Sequence, residues 1–177
     1  MQFTRLLDAD GTWSSFQSDW TAQCVEADDT FDDYAPASLG AIRQLALAAD
    51  PSQWALALRD ETRFLAVAMG ICTFQKGFSG KVLRIREVTV CPLLDYGILP
   101  EEQYVDTLVG MLNAAVKLSE SELVANHIKM HLRSPSDRLF FRAVGNVLDS
   151  KGVFASSETH GAWLTFTKLA SPLRIVD

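Results

Sequence analysis

Residues 82–119 constrain the fold most, because they predict a strand, a tight loop and a long helix in direct succession. Residues 82–90 are dense in β-branched and apolar side chains, which is typical of a strand. Pro92 ends that strand, since proline has no N–H for a sheet ladder. Pro100 suits the first turn of the following helix, and helix starts of this kind are natural anion sites. The apolar residues expected to face inward recur at three- and four-residue steps: Val105, Leu108, Leu112, Ala115 and Val116.

The residues before this stretch predict two helices and a hairpin. Residues 3–7 predict a first strand, and Thr12 is expected to cap a helix over residues 13–25. A second helix is expected over residues 36–49. Two strands, 54–58 and 64–74, follow with a short polar connection, which favours an antiparallel hairpin. The helical residues expected to face inward are Trp13, Phe16, Trp20 and Cys24, then Leu39, Ile42, Leu45, Ala46 and Ala49.

The residues after this stretch predict a strand over 127–132, a helix over 136–148, and closing strands over 153–156 and 162–169. The inward face of that helix is assigned to Leu139, Phe140, Ala143, Val147 and, as a further option, Val144. The whole order is β-α-α-β-β-β-α-β-α-β-β, with one right-handed β-α-β crossover. We therefore predict a single α/β (α+β) domain over residues 1–177, with a mixed, mostly antiparallel sheet of about seven strands and helices on both faces.

Composition excludes several classes of protein. Of the 177 residues, 48% are hydrophobic and 21% charged, as in an ordinary folded domain. The net charge of −6 disfavours a nucleic-acid or membrane-surface partner. No apolar run is long enough to span a bilayer, and residues 1–8 lack a signal-peptide core, so we expect a cytoplasmic protein.

Metal binding is not expected from the cysteines or the histidines. The three cysteines, Cys24, Cys72 and Cys91, show no metal-ligand spacing and are interpreted as buried hydrophobic residues. His127 and His131 share one face of a predicted strand, where four residues separate two imidazoles by roughly 13 Å. A metal site completed by His160 is therefore disfavoured.

Two local motifs and the element order resemble the GNAT superfamily of acyl-CoA-dependent N-acyltransferases. Residues 88–92, Val-Thr-Val-Cys-Pro, resemble the end of the family's fourth strand. Residues 140–145, Phe-Phe-Arg-Ala-Val-Gly, resemble its Phe-Tyr-x-x-x-Gly segment. The resemblance implies that two central strands splay apart and that acetyl-CoA or another acyl-CoA enters between them. Its diphosphate would then be held by loop N–H groups at the next helix start.

The chain departs from the family pattern at two places. After Pro92 the family has an Arg/Gln-x-x-Gly-x-Gly/Ala loop, whereas residues 93–100 read Leu-Leu-Asp-Tyr-Gly-Ile-Leu-Pro. Asp95, with two glutamates at the helix start, places negative charge where a diphosphate would sit. Phe141 stands where many family members have a tyrosine general acid, and phenylalanine has no proton to donate.

The resemblance implies a set of candidate site residues. Glu87 is near the place of a general base that accepts a proton from an amine. The alternative is a structural glutamate paired with Arg84 or Arg86. The remaining candidates, named for acyl-CoA binding, are Val88 and Val90 on the strand and Gly97, Ile98 and Leu99 in the loop.

The acidic window at residues 28–33 contains Asp28, Asp29, Asp32 and Asp33. In the family, the loop between the first two helices borders the acceptor site, so this window is a candidate receptor for a small cationic molecule or a basic protein partner. The alternative is a solvated acidic loop. Homodimerisation stays open.

Two classes of function remain. One is a GNAT-fold protein without catalysis, or with atypical catalysis, that binds a ligand or a protein partner. The other is an acyl-CoA-dependent N-acetyltransferase acting on a small amine or a protein amine, with Glu87 deprotonating the amine. Fold alone does not decide between them, because function depends on the site.

Overall fold

The computed structural model describes residues 1–132, 135–150 and 152–169, and for residues 135–137, 147, 149 and 150 the backbone alone. The strands are β1 Gln2–Leu6, β2 Gln53–Arg59, β3 Phe64–Phe74, β4 Lys81–Val90, β5 His127–His131, β6 Ser156–His160 and β7 Trp163–Thr167. The helices are α1 Thr12–Glu26, α2 Pro36–Ala48, α3 Pro92–Asp95, α4 Glu101–Leu118 and α5 Pro135–Ser150. In the described residues, no helix is both long and apolar enough to cross a membrane.

The strands form one seven-stranded sheet in the order β1-β2-β3-β4-β5-β7-β6. Every neighbouring pair is antiparallel except β4 and β5, which are parallel and joined through α4. This is the β-α-β crossover that the sequence predicts. The predicted α+β class, with a mixed and mostly antiparallel sheet, is confirmed.

The helices cover both faces of the sheet. On one face α1 and α2 pack over β1–β4, and the indole of Trp20 donates to the Phe64 carbonyl of β3 at 2.9 Å. On the other face α4 packs over β2–β4. There a Cβ at Gly70 of β3 would be in ordinary van der Waals contact with Leu118 of α4, at 3.7 Å. The three cysteines are free and buried.

A β-bulge interrupts β4 just before its end. The register with β3 runs from Met69 opposite Arg86 to Val67 opposite Thr89, so two residues of β4 face one residue of β3. The first of the two, Glu87, has φ of 52°, in the left-handed region that non-glycine residues rarely occupy. The bulge directs the Glu87 side chain toward α2. Glu87 thus lies on the same face of the sheet as Arg86.

Three predictions about the helices are wrong in detail. Thr12 does not cap α1, because its hydroxyl accepts the Leu7 N–H at 2.7 Å and Gly11 takes the capping position. Ala49 is exposed, because it leaves the helix in the left-handed conformation at the C-cap of α2. Val105 lies on the exposed side of α4, 38% accessible, whereas the predicted Leu108, Leu112 and Ala115 are buried.

The predicted inward face of α5 is wrong in part, since Phe140 and Val144 do pack against the core. Leu139 is 72% exposed and Ala143 is exposed, whereas Phe141 and Gly145 face the sheet. At Gly145 a Cβ would lie 3.0 Å from the hydroxyl of Ser157, so the helix packs closely there. The side chain of Val147 lies outside the described residues.

The first closing strand begins later than predicted. Residues 153–155 are not in a strand, and β6 runs over the polar residues Ser156–His160. His160 pairs with Trp163 across a two-residue turn at Gly161, whose φ is 58°. Polar residues are tolerated in this strand because it is the sheet edge and largely exposed.

Candidate functional site

The candidate site is a cleft where β4 and β5 separate. Their pairing ends at Ile85 opposite Met130, and beyond that point the two strands diverge. The separation leaves a cavity of about 300 Å³. Its lining is mixed. The apolar residues are Ala35, Val88, Val90, Leu108, Met130, Leu132 and Phe141, and the polar residues are Tyr34, Thr89, Asp95, Tyr104 and His131.

The edge of β4 that faces this cleft offers backbone hydrogen-bonding groups. The Cys91 N–H donates to the Leu65 carbonyl of β3 at 2.8 Å. Because hydrogen-bonding directions alternate along a strand, the peptide groups of Val90 point the other way, into the cleft. The predicted acyl-binding residues Val88 and Val90 both line the cavity. Their binding of an acyl group stays a prediction.

Tyr34 occupies part of that edge, and its role is not apparent in the sequence. Its hydroxyl donates to the Val90 carbonyl at 2.8 Å and lies 3.2 Å from Oδ2 of Asp95. The side chain is buried, 4% accessible. Burial raises the pKa of Tyr34 well above its ordinary value, and the neighbouring carboxylate of Asp95 raises it further. Tyr34 is therefore a neutral donor that links the α1–α2 connection to β4.

Glu87 projects from the bulge beside the cleft. Its Oε2 accepts a hydrogen bond of 2.9 Å from the hydroxyl of Ser38, which is buried near the start of α2. Among the residues that the structure describes, neither Arg84 nor Arg86 lies within ion-pair distance of Glu87. The alternative in which Glu87 forms a structural pair with one of these arginines is therefore not supported. The role of Glu87 as a general base stays a prediction.

The loop after β4 satisfies its own amides. Pro92–Asp95 forms the short helix α3, and the chain then turns back through Gly97, whose φ is 69°. Every N–H from Leu94 to Leu99 donates to a carbonyl between residues 91 and 94. The predicted cofactor-binding residues Gly97, Ile98 and Leu99 therefore use their N–H groups inside the loop, at 2.9–3.2 Å.

The acidic window packs against this loop. The Tyr96 hydroxyl donates to Oδ2 of Asp29. That hydrogen bond lowers the pKa of Asp29 and raises the pKa of Tyr96 to about 12. Thr30 and Asp33 hydrogen-bond to each other, so part of the window is a turn with internal bonds. Its binding of a cationic or basic partner stays a prediction.

Phe141 lies on the wall of the cleft, so the replacement noted in the sequence falls inside the candidate site. It is 2% accessible and offers an apolar ring there. Tyr104 of α4 lines the same cavity and was missed by the sequence analysis, because its position at the start of a predicted helix gave no sign of the cleft.

His127 and His131 each contact different neighbours and do not meet at a common site. His127 is buried, with Nδ1 3.2 Å from the Thr167 hydroxyl and Nε2 3.1 Å from the Ser79 carbonyl. The ring of His131 packs on Trp163 at 4.8 Å. Within the described residues, no group of three His, Cys, Asp or Glu side chains is arranged to hold a metal ion.

The strand order, the single parallel crossover and the splay of β4 from β5 define a GNAT-like fold, as the sequence resemblance implies. No family model matches the chain. A search of the curated proteins finds no significant match.

Several solved structures are similar at low identity. A protein from Bacteroides thetaiotaomicron assigned to the GNAT family of acetyltransferases is 10% identical, with 97% of this chain and 89% of that chain covered and a TM-score of 0.47. A chimera of the spermidine N-acetyltransferase SpeG from Vibrio cholerae and hSSAT is 11% identical, with 94% and 93% covered and a TM-score of 0.46. An aminoglycoside 6′-N-acetyltransferase from Acinetobacter haemolyticus is 14% identical, with 97% and 100% covered and a TM-score of 0.40.

Proposed function

We propose that this chain is a non-catalytic GNAT-fold protein that binds a small ligand in the cleft between β4 and β5. The observation that carries the proposal is the internal bonding of every loop N–H from Leu94 to Leu99. An acyl-CoA needs free N–H groups at this place for its diphosphate. Binding there requires those bonds to break, and the loop also presents Asp95, Glu101 and Glu102 to the incoming negative charge.

The cleft itself favours a compact ligand with an apolar part. Apolar side chains and polar groups contribute comparable parts of its wall, so a ligand with both kinds of surface fits it. At its edge the Val90 carbonyl accepts from Tyr34, and the Val90 N–H, which points into the cleft, is the group that orients a ligand carbonyl. Phe141 gives the wall no proton donor at the place expected for one.

The direct test compares acetyl-CoA with S-acetylpantetheine, which has the same thioester arm but no phosphates. By isothermal titration calorimetry we expect the two dissociation constants to agree within about threefold, roughly 0.7 kcal/mol, because the phosphates gain no partner in the loop. The proposal fails if acetyl-CoA binds tenfold or more tightly than S-acetylpantetheine, or if the protein releases free CoA in the presence of amines.

Two variants of α4 report whether the ligand occupies the cleft. Leu108→Phe fills the cavity and should abolish binding of any cleft ligand, because Leu108 is buried on its wall. Val105→Phe is the matched control, since Val105 lies on the same helix but is exposed. Equal losses in the two variants would place the ligand elsewhere.

A second candidate function is N-acyl transfer, which the position of Glu87 favours. The bulge sets its carboxylate beside the cleft, with Ser38 as a hydrogen-bond donor. In this function Glu87 takes a proton from the amine, and the N–H groups of Val88 and Val90 polarise the thioester carbonyl. The assay for free CoA distinguishes it: turnover that Glu87→Gln lowers at least a hundredfold supports transfer, and absence of turnover supports the binding function.

A further inference from the structure

Three cations lie side by side on the face of the central strands that α1 and α2 partly cover. Arg84 and Arg86 of β4 project to the same face, because side chains alternate along a strand. Lys129 of β5 is the direct register partner of Arg84. Neighbouring strands are about 4.8 Å apart and alternate residues along one strand about 6.6 Å apart. We call Arg84, Arg86 and Lys129 the basic strip.

The basic strip is not neutralised by carboxylates of the described residues. Within those residues, no Asp or Glu oxygen comes within ion-pair distance of any of its three side chains. Glu158 lies on β6, two strands away from Lys129. Like charges at these spacings repel one another, and a chain of net charge −6 has no general excess of cations to explain the cluster.

The donors of the strip are only partly used. The Nε atoms of Arg84 and Arg86 are buried and have no hydrogen-bond partner within the described part of the chain. Among the residues that the structure describes, the two arginines make one side-chain hydrogen bond, from Nη2 of Arg84 to the Thr73 hydroxyl at 3.4 Å. Buried polar groups normally have partners, so unused guanidinium donors indicate a place for an acceptor.

Aromatic rings hold the third cation in place. The Lys129 Nζ lies 5.3 Å from the ring centroid of Phe78 and 5.0 Å from that of Trp163. These cation–π contacts orient the ammonium group without neutralising it. Phe78 belongs to the β3–β4 turn, and its ring also packs on His127 at 5.0 Å, so this turn closes one end of the strip. Glu87 and α2 lie at the other end.

We propose that the basic strip binds an oxyanion group of a small ligand, a carboxylate or a phosphate. Two half-buried guanidinium groups offer planar donor pairs that match either oxyanion, and Lys129 adds a third positive charge. The strip lies on the face of the sheet opposite Leu108 and α4. The inference therefore does not rest on the ligand proposed for the cleft.

Citrate and inorganic phosphate are the probes, each titrated at ionic strength matched with sodium chloride. We expect saturable binding with a dissociation constant of about 1 mM or tighter for at least one of the two anions. A lower dissociation constant for citrate than for phosphate assigns a carboxylate ligand, and a lower one for phosphate assigns a phosphorylated ligand. The NMR signals of the Arg84 and Arg86 Nε–H groups should shift along the same curve. Absence of saturation at about 20 mM of either anion overturns the proposal.

Arginine variants separate a site from general charge attraction. Arg86→Gln should weaken binding at least tenfold, and Arg86→Lys, which keeps the charge but not the planar fork, at least threefold. Arg142→Gln is the control, because Arg142 is exposed on α5 and should leave the affinity within about twofold. A loss in Arg142→Gln equal to that in Arg86→Gln contradicts the site.

The NMR titration of the unchanged protein keeps the test valid if a variant fails to fold. The alternative occupant of the basic strip is the acidic window of a second copy of the chain, and sedimentation velocity detects the resulting dimer. A dimer that citrate dissociates would assign the strip to self-association and overturn the small-ligand proposal.

Discussion

The cleft and the loop that follows it are neighbours in the chain, but they differ in what they offer a ligand. In the cleft, β4 has no partner strand on that side beyond Ile85, and Val90 directs peptide groups into the cavity. In the loop, the amides from Leu94 to Leu99 all donate to carbonyls of residues 91–94. This scaffold therefore combines an open cleft beside β4 with a following loop that is closed by its own hydrogen bonds.

The largest expected effect tests how firmly the cleft wall is packed. Phe141→Ala removes a ring that is 2% accessible, and we expect it to lower the free energy of unfolding by about 3 kcal/mol. Leu139→Ala on the same helix is the control, because Leu139 is 72% exposed and should change stability by less than about 0.5 kcal/mol. Urea denaturation measures both. Equal costs would mean that Phe141 does not support the cleft.

The next effect compares two tyrosine hydroxyls, one in the cleft and one in the loop. Tyr34→Phe removes the bond to the Val90 carbonyl inside a buried site, so we expect a loss of about 1–2 kcal/mol in the free energy of unfolding. Tyr96→Phe removes a bond to Asp29 from an exposed ring and should have a much smaller effect. A larger loss for Tyr96→Phe would show that the loop is the more rigid of the two regions.

A smaller effect separates the two reasons for which the loop disfavours a diphosphate. Glu101→Gln combined with Glu102→Gln removes negative charge at the start of α4 without freeing any loop amide. Because exposed charges are screened, we expect the affinity for acetyl-CoA to rise less than about threefold by calorimetry. A rise of tenfold or more would show that charge alone closes the site.

The smallest effect is a change of titration at the contact between Tyr96 and Asp29. The hydrogen bond from Tyr96 lowers the pKa of Asp29, so Tyr96→Phe should raise that pKa toward the ordinary carboxyl value. A lowered carboxyl pKa stabilises the folded state above the unfolded-state pKa and loses that contribution as pH falls through the folded-state pKa. The variant should therefore lose less stability on acidification below about pH 4. Carboxyl NMR titration of Asp29 measures the shift. An unchanged pKa in the variant would show that the hydrogen bond from Tyr96 does not lower the pKa of Asp29.

At alkaline pH the contact between Tyr96 and Asp29 affects stability through the raised pKa of Tyr96. The pKa of Tyr96 is raised to about 12, chiefly by its bond to Asp29. A raised pKa gives stability that is present below the unfolded value, near 10, and is lost as pH rises between about 10 and 12. Absorbance titration of the phenolate should therefore show Tyr96 ionising later than a free tyrosine.

The strand and helix order could be predicted because most elements carry their own local pattern. The continuous apolar run of β3 indicates a buried strand, and the spacing of Trp13, Phe16 and Trp20 specifies one buried side of α1. The face of α5 could not be assigned, because Leu139 and Phe141 both fit an apolar stripe and only the closing strands select between them. The exposed strand β6 was missed for the opposite reason, since an edge strand needs no apolar residues.

The candidate site was less predictable than the fold. Glu87, Val88 and Val90 were found through a resemblance tied to β4, and the structure brings Val88 and Val90 to one cleft with Glu87 beside it. Tyr34 was missed, because its bond to the Val90 carbonyl joins residues 56 positions apart. The closure of the loop was also hidden, since amide partners depend on backbone path and not on side-chain type.

The most direct test of the account is an NMR titration of the backbone amides with acetyl-CoA. We predict that the signals of Val88 and Val90 shift with the thioester arm, whether acetyl-CoA or S-acetylpantetheine is added. The amide signals from Leu94 to Leu99 should stay where they are with both ligands, because their N–H groups remain bonded within the loop. Large shifts of the Gly97, Ile98 and Leu99 amides with acetyl-CoA, absent with S-acetylpantetheine, would show that the loop opens to hold a diphosphate and would contradict the account.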